Sequence, residues 1–303
     1  MSKRQVDDEA VTLKETGQRA PVGSVVLRIL VAEDNKINQE VAKGILSEMM
    51  GHTVVLANNG REALDILETV DFDLVFMDVQ MPVMDGFETT AEIRRREEET
   101  GNHIPIVAMT ANVMKGDDKR CLEAGMDDYI PKPVRPDQVL ECISNLFGGS
   151  SADEIDTTEE TIAAALAGIV EEKEPAADLD AETQAASGQV FDKDTLLQWY
   201  GSNVEVLKEL LGMYFSEIPT MLSDVRQSVE ARDSNALDQT AHKLKGAVGT
   251  FEAKRAFEAA YALERMGKDS TFDGVEEALA RLENEIQCLS DALVEFGKEM
   301  GVA

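Results

Sequence analysis

Asp78 closes an apolar run of strand length, Leu74 to Met77, and the loop beyond it carries Met81-Pro82 and Asp85-Gly86. A buried parallel strand that delivers one carboxylate to its carboxyl end is where an open α/β sheet does its chemistry. Neighbouring apolar runs end in the same manner, at Glu33-Asp34, at Thr110 and at Lys132-Pro133. Three acids on one rim repel one another unless a cation sits among them. Oxygen donors that leave room for water suit Mg²⁺. A hydroxyl and an ammonium on the same rim are donors for the oxygens of a phosphoryl group. Together they read as an aspartate converted to an acyl phosphate, with metal and lysine offsetting charge at the transferring group. Each piece alone has a plainer reading, as a helix cap at Glu33-Asp34 or Thr110 and as a turn at Lys132-Pro133. Four of five strand ends bearing such residues favour the chemical one.

His242 is the second centre. In LDQTAHKLKGAVGTF the residues Leu237, Ala241, Leu244, Val248 and Phe251 fall on one stripe. His242 lies about 200° around from Leu244 at about 100° per residue. It is expected to face solvent with Asp238, Lys245 and Gly249, as an imidazole of nearly unshifted pKa that is largely neutral and nucleophilic at about pH 7. Lys245, three residues on, can reach a phosphoryl group held there, and Lys243 adds positive field. Gly246 costs a helix about 1 kcal/mol, so its bareness points to close approach by a partner. His52 and His103 are expected to be exposed and silent.

The elements that must position these residues follow from periodicity. Strands are predicted over 26–32, 53–57, 74–78, 104–109 and 128–131, alternating with helices over 35–50, 61–68, 87–98, 113–124 and 136–147. Five βα units in about 125 residues imply a parallel sheet covered on both faces. Right-handed crossovers put every strand's carboxyl end on one edge. After Gln189 the chain reads as helix only, with segments over 192–200, 204–217, 220–231, 235–250, 252–266 and 274–300 and breaks that include Pro219. Their simplest packing is a small antiparallel bundle. Between the two lies a stretch, 148–189, with eleven acids against one lysine and no aromatic residue. It cannot bury enough apolar surface to order itself and reads as an acidic linker, with a transient helix near 160–172. Residues 1–24 are polar and unpatterned and read as a flexible leader.

The net charge of −30 over 303 residues speaks against binding a phosphate backbone, and there is no basic recognition helix. No run of about 18 apolar residues exists to cross a membrane, and the N-terminus lacks the apolar core of a signal peptide. Cys121, Cys142 and Cys288 are scattered, without metal-ligand spacing, as reduced thiols of a cytoplasmic protein would be.

Residues 26–147 resemble a receiver domain of two-component signalling. The resemblance rests on VAEDNKINQ (31–39), DVQMPVMDG (78–86), MTAN (109–112) and YIPKP (129–133). It implies a five-stranded flavodoxin-like (βα)5 fold in which Asp78 is phosphorylated from a partner's phosphohistidine. Asp34, Asp78 and the backbone carbonyl of Gln80 would ligate Mg²⁺, with Glu33 in support. Lys132 would contact the phosphoryl group, Thr110 would follow it inward, and Tyr129 would swing with Thr110. Residues 190–303 resemble a histidine phosphotransfer (HPt) domain, whose HxLKG motif matches His242 to Gly246, with Gly249, Phe251 and Leu263-Glu264 also in the family's style. The chain departs from the pattern at Glu252, where such domains commonly carry glycine before the alanine. Aspartyl-phosphate phosphatases, which need a second acid two residues after the nucleophile, are disfavoured because that residue is Gln80.

No glycine-rich nucleotide cradle or ATP-binding domain is present in the sequence. The resemblances imply an intermediate of a phosphorelay with four segments: leader 1–24, receiver 25–147, linker 148–189 and HPt domain 190–303. Its partners would be a sensor histidine kinase and a downstream response-regulator receiver, and nucleic acid and membrane insertion are not expected. The alternative is a switch in which phospho-Asp78 changes a protein-binding face while the helical domain transfers nothing.

Overall fold

The computed structural model describes residues 26–110, 117–147, 189–200 and 204–301. The leader at 1–24 and the linker at 148–189, all but its last residue, lie outside the described residues.

Five parallel strands, β1 (Arg28–Ala32), β2 (Thr53–Ala57), β3 (Leu74–Asp78), β4 (Ile106–Thr110) and β5 (Asp128–Pro131), form one sheet in the order β2-β1-β3-β4-β5. β3 and β4 are buried along their whole length, as central strands covered on both faces must be. Helices α1 (Lys36–Lys43), α2 (Gly60–Leu67), α3 (Gly86–Thr100), α4 (Asp117–Glu123) and α5 (Pro136–Phe147) follow the strands in turn. A π-helical turn, Gly44–Met49, extends α1. Local chemistry starts these helices where they start. Asn35 caps α1 by accepting from the Ile37 amide at 3.0 Å, and Asp85 and Glu88 form a reciprocal capping box on α3. Because β1 pairs with both β2 and β3, and β3 with β4, the strand register brings Glu33, Asp78 and Thr110 to one edge.

The C-terminal half is helical throughout its described residues: α6 (Lys193–Tyr200), α7 (Val204–Ala231), α8 (Ser234–Gly249), α9 (Lys254–Lys268) and α10 (Val275–Glu299). Connections of two to six residues make α7 to α10 run antiparallel to their sequence neighbours. Leu207, Leu210, Tyr214, Leu244, Leu263 and Leu289 fill the space between them. The break expected at Pro219 does not occur, because α7 runs unbroken through it. An interior proline costs a helix about 3 kcal/mol. Here Leu211, Tyr214 and Ile218 on one side and Met221, Val225 and Val229 on the other bury the same face, which holds the helix together across the lost hydrogen bond.

The two halves are in contact. α1 lies against α7 and α8, with Gly44 backed onto Val206: a Cβ at Gly44 would stand 3.4 Å from that side chain. Lys36 pairs with Glu217 at 3.7 Å, and Asn35 Nδ2 donates to the Lys243 carbonyl at 2.8 Å. The three cysteines are free, and Cys121 and Cys142 are buried. Among the described residues, no helix is long and apolar enough to cross a membrane.

Candidate phosphoryl-transfer site

The sheet edge holds the acids in a tight cluster. One oxygen from each of Glu33, Asp34 and Asp78 lies within 4.8 Å of the others. Lys132 Nζ, carried just past β5, sits 2.6 Å from Glu33 Oε2 and 2.6 Å from Asp78 Oδ2. Those two oxygens are fully buried, with the Lys132 ammonium as their near donor. Asp78 Oδ1 accepts from the Gln80 amide at 3.1 Å, and Glu33 Oε1 accepts from the Asn35 amide and from Asn38 Nδ2. Burial, with Glu33 and Asp34 adding to it, pushes the Asp78 carboxyl up to about 8 against the pull of Lys132. Burial opposes the charge on Lys132, yet Asp78 and Glu33 together hold its ammonium above the usual lysine range. Thr110 is buried at the end of β4, and Tyr129 is exposed on β5.

His242 stands differently from its expectation. The residues expected to share its solvent face, Lys245 and Gly249, are buried, and the imidazole itself is only 12% exposed. Leu237, Ala241, Leu244 and Val248 do form the buried stripe, but two surfaces that periodicity cannot see close over this face: α9 and the rim of the receiver half. Its pKa is accordingly lowered, chiefly by burial, with Lys245 and Lys132 acting in the same sense against the pull of Glu264. Lys245 likewise does not stand free to receive a phosphoryl group. Its ammonium is paired with Glu264 Oε2 at 2.5 Å.

Glu264 is the residue that sequence reasoning left without a role. It reaches across from α9 so that Oε1 meets His242 Nδ1 at 2.8 Å and Lys268 Nζ at 2.9 Å, while Oε2 meets Lys245. Burial opposes its ionisation, but the His242 and Lys245 contacts hold it well below the usual carboxylate range. An ionised acceptor requires Nδ1 to carry the proton. That tautomer leaves the Nε2 lone pair unprotonated. The close approach of α8 and α9 depends on Gly267, where a Cβ would stand 2.4 Å from the Asp238 amide nitrogen. A signal was present in the sequence: an acid beside the apolar Ala256, Ala260 and Leu263 positions of an amphipathic helix.

The two centres meet. Glu33, Asp78, Lys132, His242, Lys245 and Gly246 line one cavity of about 10 Å³, and a cleft of about 730 Å³, lined in part by Gln80, Thr110 and His242, flanks it. Lys243 lays its ammonium 3.1 Å from the Asp34 carbonyl and 3.4 Å from its carboxylate. Gly246 faces α1: a Cβ there would come 3.1 Å from Asn38 Nδ2. The close approach inferred from its bareness is made by the receiver half of the same chain.

Residues 29–144 match the response regulator receiver domain family, and residues 209–292 match the Hpt domain family. The chain is 31% identical over 221 residues to the sensor histidine kinase GacS of Pseudomonas protegens, an alignment covering 73% of this chain and 22% of that protein. It is 42% identical over 122 residues to hybrid signal transduction histidine kinase I of Dictyostelium discoideum, covering 39% of this chain and 7% of the other. The chain thus spans a minor part of these relatives. Among solved structures, the receiver domain of sensor histidine kinase PA1611 from Pseudomonas aeruginosa, described with magnesium in its active-site cleft, is 36% identical. It aligns with 41% of this chain and 100% of its own, with a TM-score of 0.37. The co-crystal of Ypd1 with the Ssk1 receiver domain from Saccharomyces cerevisiae is 31% identical over 44% of this chain and 94% of the other, with a TM-score of 0.39. This chain therefore belongs with the proteins that join a response regulator receiver domain to an Hpt domain.

Proposed function

We propose that this chain is an intermediate of a two-component phosphorelay, in which Asp78 accepts a phosphoryl group from a partner's phosphohistidine and His242 carries it to or from receiver aspartates. The observation that carries this reading is the shared cavity lined by Asp78, Lys132 and His242. The donor would be a sensor histidine kinase, the later acceptor a downstream response regulator, and the site of action the cytoplasm.

The acidic cluster fits a hard cation such as Mg²⁺. Three carboxylates converge within 4.8 Å, and the Lys132 ammonium offsets only part of their charge. Glu33, Asp34, Asp78 and the Gln80 carbonyl would hold it. When bound, the ion offsets the negative charge of the phosphoryl oxygens. Calorimetric titration with Mg²⁺ is expected to give binding that Asp34→Ala abolishes, and equal binding by the variant would remove Asp34 from the site.

The protein's own residues do the rest. The Asp78 carboxylate attacks phosphorus as the P–N bond to the partner's phosphohistidine breaks, its electron pair returning to that imidazole, and Lys132 stays beside the acyl phosphate. Thr110 and Tyr129 follow the modified aspartate as the switch. In the onward step the Nε2 lone pair of His242 forms a bond to phosphorus while the P–O bond to Asp78 breaks. That bond's electron pair returns to the carboxylate, and Nδ1 keeps its proton against Glu264. Lys245 acts by fixing Glu264.

The test is to load Asp78 with a labelled small-molecule phosphodonor and follow the label in wild type and in His242→Gln. Alkali-labile acyl phosphate should give way to alkali-stable phosphohistidine in the wild type alone. Label that stays on Asp78, even with excess receiver added, would favour the alternative, a phospho-Asp78 binding switch with a non-transferring helical domain.

A further inference from the structure

The polar contacts nearest the phosphoryl site, Asn35 to the Lys243 carbonyl and Lys243 to Asp34, use groups that many acidic receiver rims could supply. Discrimination between partners needs contacts away from that rim. One such group exists. Arg135, immediately before α5, extends from the receiver domain to two separate parts of the helical domain. Its guanidinium lies 4.8 Å above the ring of Trp199 on α6, and Nη2 is 3.4 Å from Glu252 Oε1 in the α8–α9 junction.

Glu252 is the residue at which the chain departs from the glycine expected there, and its φ of 51° explains that expectation. This left-handed conformation suits glycine and strains a residue with a side chain. The junction itself has no need of a carboxylate: the Glu252 amide donates to the Gly249 carbonyl at 2.9 Å, and its carbonyl accepts from the Asp192 amide at 3.3 Å, both backbone interactions. What the side chain adds is the contact with Arg135. Trp199 is the chain's sole tryptophan, and the guanidinium seated on its face belongs to the other domain. Stacking of this kind is attractive where the cation is partly desolvated.

We propose that Arg135, Glu252 and Trp199 form a selectivity clamp that favours this chain's own receiver domain over other receivers as the phosphoryl partner of His242. The proposal rests on the relay reading above and adds to it the choice of partner. The transfer it governs breaks the P–O bond of phospho-Asp78 and makes the N–P bond at His242, with the electron pairs moving as described. The clamp touches neither atom and acts through docking alone.

The full chain tests this with Arg135→Glu, Glu252→Arg and the double variant. Arg135→Glu sets a carboxylate against Glu252. Label transfer from Asp78 to His242 within one chain is expected to fall about tenfold, as rim-charge reversal does at other interfaces. Loading of Asp78 by the small-molecule donor should be unchanged. Transfer from a separate labelled donor chain carrying His242→Gln to an acceptor carrying Asp78→Asn should rise when the acceptor also carries Arg135→Glu, because its own receiver no longer covers His242. The double variant should restore most of the intramolecular rate. Acrylamide quenching of Trp199, which needs no phosphoryl chemistry, should increase in Arg135→Glu and report undocking directly. Unchanged quenching and unchanged intramolecular rate in Arg135→Glu would overturn the clamp, as would an equal loss of transfer from the separate donor. Absence of label on His242 in every pairing, with quenching altered as expected, would overturn the relay and leave the docking contact standing.

Discussion

His242 Nδ1 lies 2.8 Å from Glu264 Oε1, and the other oxygen of the same carboxylate holds Lys245 at 2.5 Å. One buried acid thus sets the tautomer of His242 and neutralises a lysine that is itself 1% exposed. The two tasks separate by mutation. Glu264→Ala leaves Lys245 buried without its counter-ion, a change that costs about 3–5 kcal/mol. Urea unfolding of the full chain should show that loss. Glu264→Ala with Lys245→Met should recover much of it and still transfer phosphoryl slowly, since Nδ1 is no longer fixed. A stability loss no smaller in the double variant would show that the pair is not the cause.

The imidazole should titrate low. Burial lowers the His242 pKa from the usual 6.5, and the charged groups facing it are Glu264 on α9, Lys245 on its own helix and Lys132 from the receiver rim. Between 6.5 and the lower folded value, the unfolded chain binds more protons than the folded one. This group's contribution to stability is therefore complete above pH 6.5 and falls as pH drops from there to the folded value. Histidine NMR, assigned with His242→Gln, should give a midpoint below 6.5, and one at or above it would contradict the buried geometry.

Gly246 sets helix propensity against docking. Gly246→Ala should stabilise α8 by about 1 kcal/mol, while its Cβ presses on Asn38 Nδ2 at 3.1 Å, a group held by Glu33. Thermal unfolding of the helical domain should move up as the rate of Asp78-to-His242 transfer moves down. Gly246→Leu, which cannot be accommodated by a small shift of Asn38, should abolish the intramolecular step. Equal rates in all three would place the meeting surface elsewhere.

Gly267 allows α9 to approach α8 at a backbone, not at a yielding side chain. A Cβ 2.4 Å from the Asp238 nitrogen leaves no local adjustment. Gly267→Ala should cost about 1–3 kcal/mol by overpacking and displace Glu264 from the imidazole. The His242 midpoint should move with it, a readout that overpacking remote from the site would not change.

Most of the receiver rim could be read in the sequence. Glu33, Asp34, Asp78, Thr110 and Lys132 each close an apolar run, and parallel topology requires those ends to share an edge. β2, β3, β5 and α5 have the bounds their patterns implied. The helical half was less legible. Pro219 marks a break by local rules, and only burial on both sides of it, a tertiary effect, keeps α7 whole. The covering of His242 was invisible because one part of its cover is a later helix, α9, and the other comes from about 200 residues earlier in the chain, where no periodicity connects α1 to α8. The pairing of Glu264 with His242 was hidden for the same reason on a smaller scale: a 22-residue separation across two helices has no spacing rule. Gly246 and Glu252, by contrast, were noticed as oddities, and both lie where the halves touch.

Lys243 gives its ammonium to a carboxylate rim that belongs to the other domain. Severed from its companion, the receiver would face water with three carboxylates and Lys132 as their near cation, and the bundle would present a barer, more easily protonated imidazole. Each domain is electrically complete only when mated. Metal affinities, titration midpoints or acyl-phosphate lifetimes measured on excised halves would then describe sites that differ from those of the docked chain.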